Sequence, residues 1–256
     1  DIILFVPASA PINKLMQSVL YGAKVVPVKG TYDDAFKLSI EYTKKKGGIN
    51  RNTAYNPMTI EGKKSISIEL FEQMGRKAPD AIYVPVGDGC IIAGVAKGFI
   101  DLKKAGLIDK LPRIIACQSE ESRAITNALT ENDYTPFNAT TRADSISVSL
   151  PANGRMAVRY IKESNGWAVT VEDEAILSSQ LDLTREAGVL AEPAAACAYA
   201  AFKKDRDHFV KELGENATAV VLLTGTGFKD MKAFDGRVQM PPAIENDVAE
   251  IDKLPF

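Results

Sequence analysis

The stretch Ala81-Ile82-Tyr83-Val84-Pro85-Val86-Gly87-Asp88-Gly89-Cys90 decides the fold. An apolar run of strand length stops at two glycines set one residue apart. Such a run reads as a strand buried on both faces, as in a parallel sheet. Directly after it, the spacing of Ile92, Val95, Ala96 and Phe99 predicts a helix over about 91–105. Strand, tight turn and helix N-terminus in that order expose backbone N–H groups where an open α/β sheet binds an anion.

A second stretch has the same form. Ala219-Val220-Val221-Leu222-Leu223 runs into Thr224-Gly225-Thr226-Gly227. Two such strand ends, far apart in sequence, predict one pocket built from two strands. The plainer reading of each is a glycine used for turn geometry alone. Neither is a Walker loop, because no GxxxxGK[ST] occurs. The dinucleotide spacing GxGxxG is also incomplete, since residue 92 is isoleucine, and this weakens an oxidoreductase with a nucleotide cofactor.

Strand and helix patterns alternate on either side of these loops. Strands are predicted at 2–6, 25–28, 113–117, 167–171 and 218–223, and helices at 12–21, about 60–75, 152–164 and from Pro193 to about Lys204. Gly22 reads as a helix C-cap, Thr31 as an N-cap, Asp173 as another, and Gly188 as the end of the helix that Asp173 opens. Residues 47–59 form an irregular polar bridge and the expected domain junction. Residues 130–150 read as a long surface loop. The alternation predicts a mostly parallel sheet covered by helices.

Composition narrows the function. The 256 residues suffice for one large or two modest domains. A formal net charge of −2 argues against nucleic acid as the partner. No apolar stretch is long enough for a membrane span. The opening Asp1-Ile2-Ile3-Leu4-Phe5-Val6-Pro7 has no basic flank and reads as a core strand, as if the chain starts inside a domain. Three cysteines, Cys90, Cys117 and Cys197, form no CxxC, which argues against a disulfide framework or zinc site and for a cytoplasmic location. The one histidine, His208, lies beside Asp205, Arg206 and Asp207 and reads as a solvated helix face. Ser-His-Asp chemistry and multi-histidine metal sites are therefore poorly supported, and no metal is expected.

Taken together, the segments resemble threonine synthases. Val84-Pro85-Val86-Gly87-Asp88-Gly89, Leu223-Thr224-Gly225-Thr226-Gly227-Phe228-Lys229-Asp230, Glu192-Pro193 with its alanines, and Asn56-Pro57-Met58-Thr59-Ile60-Glu61-Gly62-Lys63-Lys64 match that family's signature segments in order and spacing. The stretch from Tyr21 to Ala35 is similar to its small domain. These enzymes belong to the fold-type II pyridoxal phosphate group, with threonine dehydratase and the tryptophan synthase β-subunit. The resemblance covers nearly the whole chain. It implies a two-domain α/β fold of open, mostly parallel sheets with helices on both faces. Residues 1–48 would be the remainder of the small domain and residues 49–256 the large, cofactor-binding domain.

The resemblance also implies roles. The amides of Gly87, Asp88, Gly89, Cys90 and Ile91 would hold the phosphate of pyridoxal 5'-phosphate. Thr224 would face the pyridine nitrogen as a neutral hydroxyl, which tempers the ring as an electron sink. Asn52 and Thr53 would lie near the phosphate end of a small amino-acid substrate, O-phospho-L-homoserine. A homodimer is implied as well.

The sequence departs from the family at several points. The family's Schiff-base lysine lies in a Ser-Phe-Lys-Asp motif in its opening stretch, and this sequence starts after it, so that lysine is expected outside the chain. Lys229, in Gly227-Phe228-Lys229-Asp230, mimics that motif but belongs to the pyridine-side loop and reads as a surface or loop residue. The family's substrate-phosphate arginine falls at Thr59, its last phosphate-loop asparagine at Ile91, and a histidine at Thr226. The first two replacements keep open a relative acting by β-elimination or β-replacement on another amino acid, such as a dehydratase. A non-catalytic relative that kept the fold is the third reading.

Overall fold

The computed structural model describes residues 1–254. A small sheet comes first. Strands β1 (Ile3–Pro7) and β2 (Lys24–Val28) pair in parallel, with Ile3 opposite Lys24. Helix α1 (Ile12–Leu20) connects them, and α2 (Tyr32–Lys46) follows. Thr31 caps α2 as the sequence predicts. Its hydroxyl accepts from Asp34 N at 3.3 Å, and the Asp34 carboxylate accepts from Thr31 N at 2.8 Å.

Next come α3 (Pro57–Lys63) and α4 (Ser65–Gln73). The single helix expected over 60–75 is therefore two, and the first begins earlier. Asn56 accepts from Met58 N at 3.0 Å, and Pro57 occupies the first helical position, so helix starts inside the expected polar bridge.

The large sheet has four parallel strands in the order β5-β4-β3-β6. They are β3 (Ala81–Pro85), β4 (Arg113–Ser119), β5 (Ala168–Val171) and β6 (Ala219–Val221). Helices cover both faces. On one side Ile82, Val84, Ile114 and Ala116 pack with residues of α5 (Cys90–Lys104), α6 (Ala124–Thr130) and α7 (Gly154–Glu163). On the other, Ala81, Tyr83, Ile115 and Cys117 pack with α8 (Asp173–Ala187) and α9 (Pro193–Leu213). This alternation along each strand is why the strands read as unbroken apolar runs. Cys117 and Cys197 are both fully buried packing residues. Among the described residues no helix is long and apolar enough to cross a membrane, and no group of His, Cys, Asp and Glu could hold a metal ion.

Three local readings change. Asp173 is not an N-cap but the first residue of α8, after Glu172. Its carboxylate instead accepts from Thr141 Oγ1 at 2.5 Å, Arg142 N at 2.6 Å and Ser119 Oγ at 2.7 Å. Residues 130–150 are not a surface loop throughout. Thr141, Ala143, Ile146 and Val148 are buried, and Asp144–Ile146 forms a 3-10 turn. The Ser-rich alternation conceals this, because the segment is held from outside: Ser122 bonds the backbone of Ile146 and Val148, and Asp173 accepts from Thr141 Oγ1 and Arg142 N. Asp205, finally, is not on a wholly solvated face. His208 is half exposed, but the Asp205 side chain is 9% exposed.

Asp205 ties α9 to the sheet. Its Oδ2 accepts from Tyr83 Oη on β3 at 2.7 Å and from Trp167 Nε1 at 2.8 Å. Burial, then the bond to Asp205, holds the Tyr83 phenol well above its usual range. Hydrogen bonds to a charged group contribute about 1.5–3 kcal/mol each, and a buried donor left without an acceptor costs a comparable amount. Asp205→Ala is therefore expected to lower unfolding stability by about 3 kcal/mol, measured by urea denaturation. Asp205→Asn, whose amide oxygen can accept both bonds, should recover most of that loss.

Candidate functional site

The site lies where the order of strands reverses. From β3 the chain proceeds to β4 on one side, while β6 joins on the other. Ligands bind in open α/β sheets at such a switch point, beyond the carboxyl ends of the strands. Val86 N donates to Cys117 O at 2.9 Å and Leu222 N to Tyr83 O at 3.0 Å, so the pairing carries both strand ends to the edge of this crevice.

The two glycine loops open into one cavity of about 810 Å³. That volume is in the range of small-molecule sites, roughly 300–1,000 Å³. Gly87, Asp88, Gly89, Cys90 and Ile91 line it at one place, and Thr224 at another. Ser145–Ser149 form a further wall, held down by Ser122, whose Oγ donates to Ile146 O at 2.8 Å and accepts from Val148 N at 3.2 Å. The small sheet closes the opposite side with Val6, Lys14 and Tyr32 among its contributions.

The glycine loop can hold an anion. Gly89 has φ +84°, which places the turn at the N-terminus of α5, and a Cβ there would meet Ala157 Cβ at 2.8 Å. Ala93 N is the first amide of α5 to bond back, to Gly89 O at 3.2 Å. Among the described residues the amides from Gly87 to Ile92 have no acceptor. They are the open donors of a 15-residue helix, and the helix dipole adds to their attraction for negative charge. Lys63 at the end of α3 also lines the cavity. Cys90 is no thiolate nucleophile at neutral pH, because burial, aided by Asp88, pushes its thiol up to about 12.

The Asp88 carboxylate takes its hydrogen bonds from outside its own loop. It accepts from Ala152 N at 3.1 Å and from Tyr32 Oη at 2.9 Å, a contact that reaches across from α2. Burial raises its pKa, and those two bonds only partly oppose the shift. Asp33 is raised as well, first by burial and then by Asp88.

The remaining expected residues fall in different places. Thr53 lines the cavity, but Asn52 does not. The Asn52 amide donates to Ser39 Oγ on α2 at 2.6 Å. Thr59 Oγ1 lies 2.6 Å from the carbonyl oxygens of both Thr53 and Asn56, so it is used inside its own turn. Lys229 is not a plain surface residue. The 3-10 turn Gly227–Lys229 places it in the cavity wall. Sequence reasoning also gave no role to Asp144 or Ser145, nor to Glu192, which it named only within the Glu192-Pro193 segment. Asp144 and Ser145 lie in a segment read as loop, and their only signal was that position.

The sequence matches the pyridoxal-phosphate dependent enzyme family over residues 1–225. The chain belongs to that family. Threonine synthase of Methanocaldococcus jannaschii is 33% identical over 256 residues, covering 99% of this chain and 62% of that protein. Threonine synthase of Methanosarcina acetivorans is 33% identical over 259 residues, covering 100% and 63%. The chain thus spans less than two thirds of the length of these relatives. An L-serine ammonia-lyase structure from Rhizomucor miehei superposes with TM-score 0.74 at 20% identity, covering 91% of this chain and 72% of that one. With serine racemase and threonine deaminase among the similar structures, the fold is that of the fold-type II enzymes. The family's cofactor is pyridoxal 5'-phosphate, and the open amides at one part of the cavity and a hydroxyl at another fit its phosphate and its ring nitrogen.

Asp88 is an unfavourable neighbour for an anion at the open amides. Its raised pKa means that the charged form is disfavoured in the fold. The cost is present above the folded-state pKa and is relieved as pH falls through it. Asp88→Asn can keep both bonds without the charge. It should raise the thermal midpoint by a few degrees and bind inorganic phosphate several-fold more tightly in calorimetric titration. The advantage over wild type should shrink on acidification, as Asp88 itself becomes protonated.

Proposed function

We propose that the full-length protein is a threonine synthase, converting O-phospho-L-homoserine and water to L-threonine and phosphate. The observation that carries this reading is the convergence of both glycine loops on one cavity, in a chain that is one-third identical to threonine synthases along its whole length. Residues 1–48 would belong to the small domain and residues 49–256 to the large one.

Pyridoxal phosphate supplies an electron sink that makes protons next to the amino carbon removable. The chain's own residues bind and orient. The amides of Gly87 to Ile91 would grip the cofactor phosphate, and Thr224 would meet the ring nitrogen. The wall at Ser145–Ser149 and the small sheet would cover the opposite side and exclude water. Thr53 would contact the substrate, while Asn52 would hold the 50–56 segment to α2 through Ser39. No Ser-Phe-Lys-Asp occurs in residues 1–256, and we place the Schiff-base lysine in the part of the relatives' length that this chain does not span.

One observation favours a second reading, elimination or replacement on an amino acid without a phosphate. Thr59 stands at the place of the family's arginine and spends its hydroxyl on backbone carbonyls. Assay of the full-length protein separates the two. Release of threonine and phosphate from O-phosphohomoserine supports the first. Ammonia and a keto acid from serine or threonine, with no turnover of O-phosphohomoserine, overturns it. Borohydride reduction of the holoenzyme followed by peptide mapping tests the lysine assignment. The adduct should fall outside residues 1–256, and an adduct on Lys229 would refute it.

A further inference from the structure

Three lysines line the cavity, Lys14, Lys63 and Lys229, and no arginine does. Two of them sit among acids. Lys14 pairs with Asp144 at 3.0 Å. Lys229 shares its wall with Asp144 and with Glu192, whose carboxylate lies 3.3 Å from both Ser145 Oγ and Thr224 Oγ1. Asp230, next to Lys229 in sequence, is raised by burial and then by Asp144. Lys63 is different. Among the described residues it pairs with no carboxylate. The acid of its own helix, Glu61, is taken by Lys64 at 2.6 Å and by Lys97. A free cation therefore stands in the cavity at the end of α3.

Packing directs that cation. A Cβ on Gly94 would lie 2.4 Å from Lys63 Cβ, and one on Gly98 would lie 2.7 Å from Ser67 Cβ. The two glycines let α3 and α4 rest directly on α5, and the two contacts advance in the same direction along both. Long side chains on a helix lean back over the preceding turn. For Lys63 that direction leads to Thr59 in its own helix and to the open N-terminus of α5 alongside. The Cys90 thiol registers the charge, since burial and then Asp88 push it up while Lys63 opposes them.

O-phospho-L-homoserine would bring a second phosphate to a cavity whose open amides suit the phosphate of the cofactor. Thr59 cannot neutralise it, because its hydroxyl is spent on the carbonyls of Thr53 and Asn56. Residue 63 lies one turn further on the same helical face. We propose that Lys63 binds the phosphate of the substrate at the wall that Thr53 forms, supplying from the next turn the charge that Thr59 lacks. The proposal rests on the reading of the full-length protein as a threonine synthase. Loss of an arginine at position 59 is then not loss of the cation, and the ground for a substrate without phosphate is removed.

The test is steady-state kinetics of the full-length holoenzyme with O-phosphohomoserine, beside titration of the apoenzyme with pyridoxal phosphate. Lys63→Gln keeps the stem that packs on Gly94 and removes the charge. It should raise KM roughly 10- to 100-fold, the loss expected of a hydrogen bond to a charged group, with a much smaller change in kcat. Cofactor affinity should fall only a few-fold, because the amides hold that phosphate. Lys63→Met should behave alike and serves if the Gln variant fails to fold. Lys63→Arg should stay close to wild type, and Thr59→Arg added to Lys63→Gln should restore much of the lost KM. An unchanged KM in Lys63→Gln and Lys63→Met overturns the proposal and leaves the threonine synthase reading standing. A loss of cofactor affinity larger than the rise in KM also overturns it, and assigns Lys63 to the cofactor phosphate instead. No turnover of O-phosphohomoserine by wild type overturns the reading of the protein and the proposal with it.

Discussion

The parallel pairing of β6 against β3 is the constraint on which the rest of the site depends. Ala81, Ile82 and Tyr83 pair with Ala219, Val220 and Val221 although the two strands lie far apart in the chain. Parallel strands point their carboxyl ends the same way. The glycine loop after β3 and the threonine loop after β6 must then emerge on one edge of the sheet. Because β4 occupies the other side of β3, helices diverge from this point to opposite faces and leave a crevice between them. Move β6 elsewhere in the sheet and the amides and the hydroxyl no longer share a cavity.

That pairing was legible in part. Both strands end in glycine after an apolar run, and such runs belong to sheets covered on both faces. The order of strands was not legible from patterning alone, since periodicity carries no information about which strands touch. Residues 130–150 show a different limit. Their buried positions fall in two i,i+2 pairs, Thr141/Ala143 and Ile146/Val148, that are out of phase with each other, and the segment is held by side chains from elsewhere, Ser122 and Asp173, rather than by its own ladder. Asp205 was hidden for a similar reason. It sits among charged neighbours in sequence, yet α9 packs on the sheet and that one carboxylate meets Tyr83 and Trp167. Lys229 was read as part of the loop after β6, but whether a loop residue faces a cavity depends on what closes the other side, and here that is α1 beside the small sheet.

The charges in the cavity wall are not uniform. Asp33 and Asp88 lie on the side of the open amides, with Lys63. Lys14, Lys229, Asp144 and Glu192 lie with Thr224 in the remaining wall, and Asp230 is raised by burial and then by Asp144, opposed by Lys14. An anion at the amides therefore meets helix dipole and Lys63 in its favour and two acids against it. Backbone amides do not titrate, and their attraction persists across the pH range. The acids add the protein's share of the pH dependence, beside the titration of the anion itself.

The cavity has one firm half and one loosely held half. The strands of the large sheet that carry the glycine loops are packed on both faces, and every residue of β3 is buried. In the small sheet no residue of α1 is buried, and β1 is only partly covered throughout. Polar contacts across the cavity are few. Lys14 reaches Asp144 at 3.0 Å, and Tyr32 reaches Asp88 at 2.9 Å. The Lys14 pair is about 40% exposed on both sides, and pairs of that kind are worth about 1 kcal/mol or less. Neither contact can fix the position of the small sheet by its strength. Each instead ends on a group that belongs to the site. Asp88 lies in the amide loop, and Asp144 adjoins Ser145, which leads to Glu192 and Thr224. A change of charge at either place therefore acts on the ligand and on the placement of the small sheet through the same atoms, and the two equilibria are linked by that sharing.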